Sequence, residues 1–137
     1  MQTQGINTSL VCWNSRDNLQ FVTALDHTLK LWDYRKFDLG CEIQTRELDG
    51  LNLRNIGFDP IYGKLLFAQD KDSVKLLKTD DLSLLDTYDK KNISSCQFLP
   101  FSECGSPGLV LLPEKSSNFI YLRVDEISNK VRPAQEE

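Results

Sequence analysis

Histidine, glycine-rich turns and clustered positive charge are all scarce in this sequence of 137 residues. It holds a single histidine, His27, so an active centre built on several imidazoles is excluded. Its Gly residues form no phosphate-binding loop and no nucleophile elbow, and no acidic run has the regular spacing of a calcium loop. The 16 Lys and Arg residues are scattered, the longest basic run is Lys90-Lys91, and the net charge is −4. A nucleic-acid groove and an anionic membrane surface both need clustered positive charge, so neither is an expected partner. No apolar run approaches the roughly 20 residues of a spanning helix. Residues Met1 to Ser9 have neither a basic segment nor an apolar core, so no secretory signal is expected. Cys12, Cys41, Cys96 and Cys104 include no Cys-x-x-Cys pair, which points to reduced thiols in a cytosolic or nuclear protein. The acceptor sequences beginning at Asn7 and Asn92 are then chance matches to a glycosylation site.

What the chain does have is a succession of short apolar stretches broken by polar turns. Hydrophobic residues make up 40% and charged residues 26%, enough for one domain to bury a core. No apolar stripe with a 3.6-residue period reaches helical length, so no helix is expected. The stretches repeat. Leu29-Lys30-Leu31 is followed 45 residues later by Val74-Lys75-Leu76, and after 45 more by Phe119-Ile120-Tyr121. In a second register, Val11-Cys12-Trp13-Asn14 corresponds to Ile56-Gly57-Phe58-Asp59 and to Cys96-Gln97-Phe98-Leu99. A period near 40 to 45 residues is that of a propeller blade.

The first unit predicts strands over 9–13, 19–24, 28–32 and 41–48, the last with one solvated side. The second predicts strands over 53–58, 64–68, 73–78 and 82–87, with Asp59-Pro60-Ile61-Tyr62-Gly63 as a turn. The third is degenerate. It predicts strands over 93–99, 109–112 and 119–124, with a long loop from Pro100 to Gly108. The fold class expected is all-β: an incomplete propeller of about three four-stranded antiparallel blades over residues 5–125, with units at about 5–49, 50–91 and 92–125. Residues 126–137 read as a polar, disordered tail.

The most specific stretch is Asp26-His-Thr-Leu-Lys-Leu-Trp-Asp33. Its Asp-x-Thr-(apolar)-Lys-(apolar)-Trp-Asp pattern resembles the third strand of a WD-repeat propeller blade. The resemblance implies that Asp26, Thr28, Trp32 and Asp33 form a structural motif, with Thr23 the second-strand hydroxyl that partners Trp32. The histidine that enters the blade in that family has no counterpart, since His27 lies on the other side of Asp26. In the second unit Leu77 stands in place of the tryptophan, and Asp72 lies one residue nearer the strand than Asp26 does. The third unit has neither residue.

Three blades do not close a ring, because closed propellers have 4 to 8. The chain is then part of a longer propeller, or is completed by another chain or copy, or is a small β-sandwich. The short lead-in before the first strand favours the first two. No cofactor or metal is expected. The Asp26–His27 pair is a turn rather than a base with its orienter, because neighbouring side chains diverge. Asp80, Asp81, Asp86 and Asp89 read as a solvated outer face. Tyr34, Arg35 and Lys36, just past the motif, are the candidate contact residues, since Tyr and Arg are favoured at binding hot spots. The function expected is a non-enzymatic scaffold docking other proteins. The alternatives are a truncated fragment without independent function, or a hydrolase on a propeller scaffold.

Overall fold

The computed structural model describes residues 9–17, 19–100, 107–124 and 131–133. They form twelve strands: β1 (Ser9–Trp13), β2 (Gln20–Leu25), β3 (Thr28–Asp33), β4 (Glu42–Glu47), β5 (Asn55–Phe58), β6 (Leu65–Gln69), β7 (Ser73–Lys78), β8 (Leu84–Asp89), β9 (Ile93–Phe98), β10 (Gly108–Pro113), β11 (Ile120–Val124) and β12 (Val131–Pro133). Each run of four is an antiparallel meander, giving three separate sheets ordered β1-β2-β3-β4, β5-β6-β7-β8 and β9-β10-β11-β12. The first strands β1, β5 and β9 lie side by side, and the sheets fan out from them as blades. The arrangement is an unclosed propeller, not a two-sheet sandwich.

The blades repeat in detail. The β3–β4 pairing shifts register between Leu31 and Trp32, and the β7–β8 pairing shifts at the equivalent step between Leu76 and Leu77. The chain leaves each of the first two blades over its β2–β3-type turn. The Leu48 and Leu53 N–H groups donate to the carbonyls of His27 and Asp26, and those of Lys90 and Ile93 donate to Asp72 and Lys71. Asn14 and Asp59, equivalent positions closing the first strands, are both buried and both accept an N–H from the residue two ahead, Arg16 and Ile61.

Two apolar clusters cement the stack. One face of the first blade (Val22, Ala24, Leu29, Leu31) meets Ile56, Phe58, Leu66, Ala68 and Leu77 of the second. The other face of the second blade (Phe67, Val74, Leu76) meets Ile93, Cys96, Phe98, Leu109 and Leu122 of the third. The middle blade is therefore covered on both sides, which explains the near-continuous apolar character of Leu65-Leu-Phe-Ala68. Polar ties cross the same joints. Asn14 Nδ2 donates to the Gly63 carbonyl at 2.9 Å, and Asn55 Nδ2 donates to the Cys96 carbonyl at 2.7 Å. Gly63 has φ +71°, and a Cβ there would lie 2.5 Å from Asn14 Oδ1, so the turn needs glycine twice over.

Several sequence expectations are corrected. Residues 131–133, expected in a disordered tail, form β12 beside β11. Pairing Leu122 with Pro133 and Val124 with Val131, they give the third blade its fourth strand. Three residues are too short for any period to show in the sequence. The rest of that tail, 126–130 and 134–137, lies outside the described residues, as do most of the loop after Pro100 and Cys104. Tyr34–Leu39 forms a short 3-10 turn where no helix was expected, again below the length at which an apolar stripe is legible. Leu82, placed in a strand by the sequence, is a fully buried turn residue with φ +60°, and β8 begins at Leu84. The alternation read in β4 does not translate into a half-buried strand, since five of its six residues are exposed. As the outermost strand it meets solvent on both faces.

Candidate interaction surface

The WD-like stretch occupies the β2–β3 turn and all of β3. Asp26 takes φ +57° in the turn, a conformation that Asp tolerates because its short side chain bonds locally. Thr28 closes the hairpin opposite Leu25 and also pairs with Glu47. Trp32 Nε1 donates to Thr23 Oγ1 at 2.9 Å across β2 and β3. Asp33 ends the strand with its carboxylate nearly buried, at 12% exposure.

Asp33 also organises the 3-10 turn that begins at Tyr34. Its Oδ1 accepts the Arg35 backbone N–H at 2.8 Å, which starts that turn, and Arg35 Nε at 2.9 Å. Its Oδ2 accepts Arg35 Nη2 at 2.7 Å, completing a two-pronged ion pair. The same Nη2 reaches Asp17 Oδ2 at 2.5 Å, in the β1–β2 turn. The guanidinium holds the Asp33 carboxyl below the usual carboxylate range, and the two carboxylates raise Arg35 in turn. Tyr34 N–H donates to the Leu19 carbonyl at 2.9 Å, tying the turn a second time to β1–β2. Tyr34, Arg35 and Lys36 are thus exposed side chains on a braced segment at one end of the first blade.

Beside them lies a group of rings that the linear sequence does not bring together. Trp13 packs on Phe21 with centroids 4.5 Å apart, Phe21 stacks on Trp32 at 5.9 Å, and Tyr34 stands 6.3 Å from Trp13. Lys30 Nζ sits 5.8 Å over the Trp32 ring and 3.8 Å from Glu42 Oε1. The register Trp13–Phe21–Trp32 was the available signal, since three aromatics one above another in a meander share a face.

Chemistry has little to work with among the described residues. His27 Nε2 lies 3.5 Å from Glu47 Oε1, and with Asp49 these form the one cluster of possible metal-ligating atoms. All three are solvent-accessible, and an ion pair on a hairpin explains the grouping. The acidic residues of the second blade are engaged separately. Asp81 Oδ1 accepts the Ser83 N–H at 3.0 Å, while Asp86 Oδ2 accepts Val131 N–H at 2.7 Å from the third blade. Cys12, Cys41 and Cys96 are free thiols. Burial pushes the Cys96 thiol up to about 12. No helix among the described residues is long and apolar enough to cross a membrane.

These features define the fold class: an all-β, incomplete propeller of the WD type. In agreement, the chain is similar to the WD40 domain of SCAP from fission yeast, with a TM-score of 0.64 and 18% identity. The match covers 93% of this chain and 30% of that one, so the chain spans less than a third of its structural neighbour. At such identity the likeness is one of fold. No protein-family model matches the sequence, and no curated protein does.

Proposed function

We propose that the chain is a non-enzymatic scaffold: a propeller segment that docks another protein through the braced end of its first blade, in the cytosol or nucleus. The observation that carries this reading is the Tyr34–Lys36 turn. Exposed Tyr and Lys side chains flank an arginine fixed by Asp33 and Asp17, so the turn presents contact groups whose backbone is already ordered. Ordering a loop before binding removes an entropic cost that a mobile loop carries into every complex. Free thiols at Cys12, Cys41 and Cys96 agree with a reducing compartment. Asp26, Thr28, Trp32 and Asp33 serve as the frame, with Trp32 on Thr23 and Asp33 on Arg35.

The test is comparative capture by the folded full chain and its Lys36→Glu variant, with Tyr34→Ala as a second probe. A protein retained by the parent chain and reduced at least about tenfold by either substitution supports the assignment. Equal retention by all three chains places docking elsewhere.

A further inference from the structure

Each joint between blades uses one face of a blade against the opposite face of the next. Strand registers make the faces comparable. Val11, Trp13, Phe21 and Trp32 of the first blade occupy the positions that Ile56, Phe58, Leu66 and Leu77 hold in the second. Cys96, Phe98, Leu109 and Leu122 hold them in the third. In the second and third blades this receiving face is covered by the blade before it. In the first blade it is open, with Val11 62% and Trp13 49% exposed. The covering face is Val22, Ala24, Leu29 and Leu31 in the first blade, and its open counterpart lies on the third blade. There Val110, Leu112, Phe119 and Tyr121 point away from the second blade, with Leu112 41% and Phe119 64% exposed.

We propose that these two open faces are halves of one joint, and that two copies of the chain pack third blade onto first blade twice to close a ring. Two copies of three blades make six, within the 4 to 8 that closed propellers adopt. The occupant is set by continuity with the joints already present: the same receiving positions are filled twice among the described residues, each time by the covering face of a blade, and the described residues leave one open face of each kind. A head-to-tail contact closes when its rotation permits. Once one joint has formed, the second is intramolecular and strengthens it. This goes beyond the docking role and involves the broad sheet faces, one of which Tyr34 borders with its ring 6.3 Å from Trp13, while Lys36 belongs to the turn alone.

The experiment is the solution mass of the full chain, by light scattering and sedimentation across micromolar concentrations, with Trp13→Glu and Leu112→Glu. The parent chain is expected at twice its 15.7 kDa. Either variant spoils both joints and is expected as a monomer. An equimolar mixture of the two is expected to recover a dimer, because one of its joints then has two intact faces. Circular dichroism checks that each variant keeps its strands, with Val11→Glu replacing Trp13→Glu if it does not. A monomeric parent chain overturns the proposal, leaving the faces to further blades of a longer protein. So does an open polymer. A Leu112→Glu chain that still dimerises, or a mixture that stays monomeric, also overturns it, by showing first blade against first blade or no complementary joint.

Discussion

At the residue scale, two ionisable groups carry measurable signatures. Asp33 is held below the usual carboxylate range by its hydrogen bonds to Arg35. A depressed folded-state pKa contributes stability above the unfolded value, and that contribution is lost as pH falls through the folded value. Asp33→Asn removes this dependence. The gap between parent and variant in urea midpoint is therefore expected to be widest near neutral pH and to narrow below about pH 4. A gap that stays constant down to acid unfolding would show that the ion pair contributes nothing. Cys96 is the converse case, a thiol raised by burial with 1% of its surface exposed. Because the thiolate is the reactive form, Cys96 is expected to resist maleimide at mildly alkaline pH until the chain unfolds. Half-buried Cys41 is expected to label at least about tenfold faster, which peptide mapping after timed quenching resolves. The octapeptide made Asp26, Thr28, Trp32 and Asp33 recognisable. It did not reveal that Asp33 has Arg35 and Asp17 as partners, because Asp17 comes from a turn 16 residues upstream.

At the scale of the element, the strands with strong alternation were legible and the short or irregular ones were not. β3 and β7 stand where the sequence puts them because Leu29, Leu31 and Val74 to Leu77 are packed by neighbours that also repeat. β12 was missed since its three residues owe their place to contacts outside the segment. One is the pairing with β11, and the other is the Asp86 carboxylate that accepts the Val131 N–H. Replacing Asp86 with Ala removes a charge-assisted hydrogen bond of about 1.5–3 kcal/mol. The Val131 amide is then expected to exchange with solvent roughly tenfold faster or more, while the Leu66 amide in the middle blade is unchanged. Equal protection of Val131 in both chains would mean that β11 alone holds the strand.

For the whole molecule, the decisive fact is the unequal cover of the three blades. The second is sandwiched, and each outer blade has one face packed and one open. Opening that frees β6 or β7 must break both joints, whereas β1 or β4 is released by fraying one sheet. In the monomeric Leu112→Glu chain, native-state hydrogen exchange is therefore expected to be slowest at Leu66, Phe67, Ala68 and Leu76 and faster throughout β1 and β4. In the parent chain the closed ring covers the outer faces and is expected to raise protection in the first and third sheets toward that of the second. Parent protection equal to that of Leu112→Glu would count against the ring, which the solution mass tests independently. The sequence by itself determined the all-β class, the repeat near 45 residues and the motif on β3, because alternation and turn chemistry are properties of neighbours along the chain. Only the tertiary structure decided which side of each strand is covered, where the fourth strand of the last blade comes from, and that Trp13, Phe21 and Trp32 form one open aromatic face. A period of two assigns residues to opposite faces, but what lies across from a face is set by blades about 45 residues away in the chain.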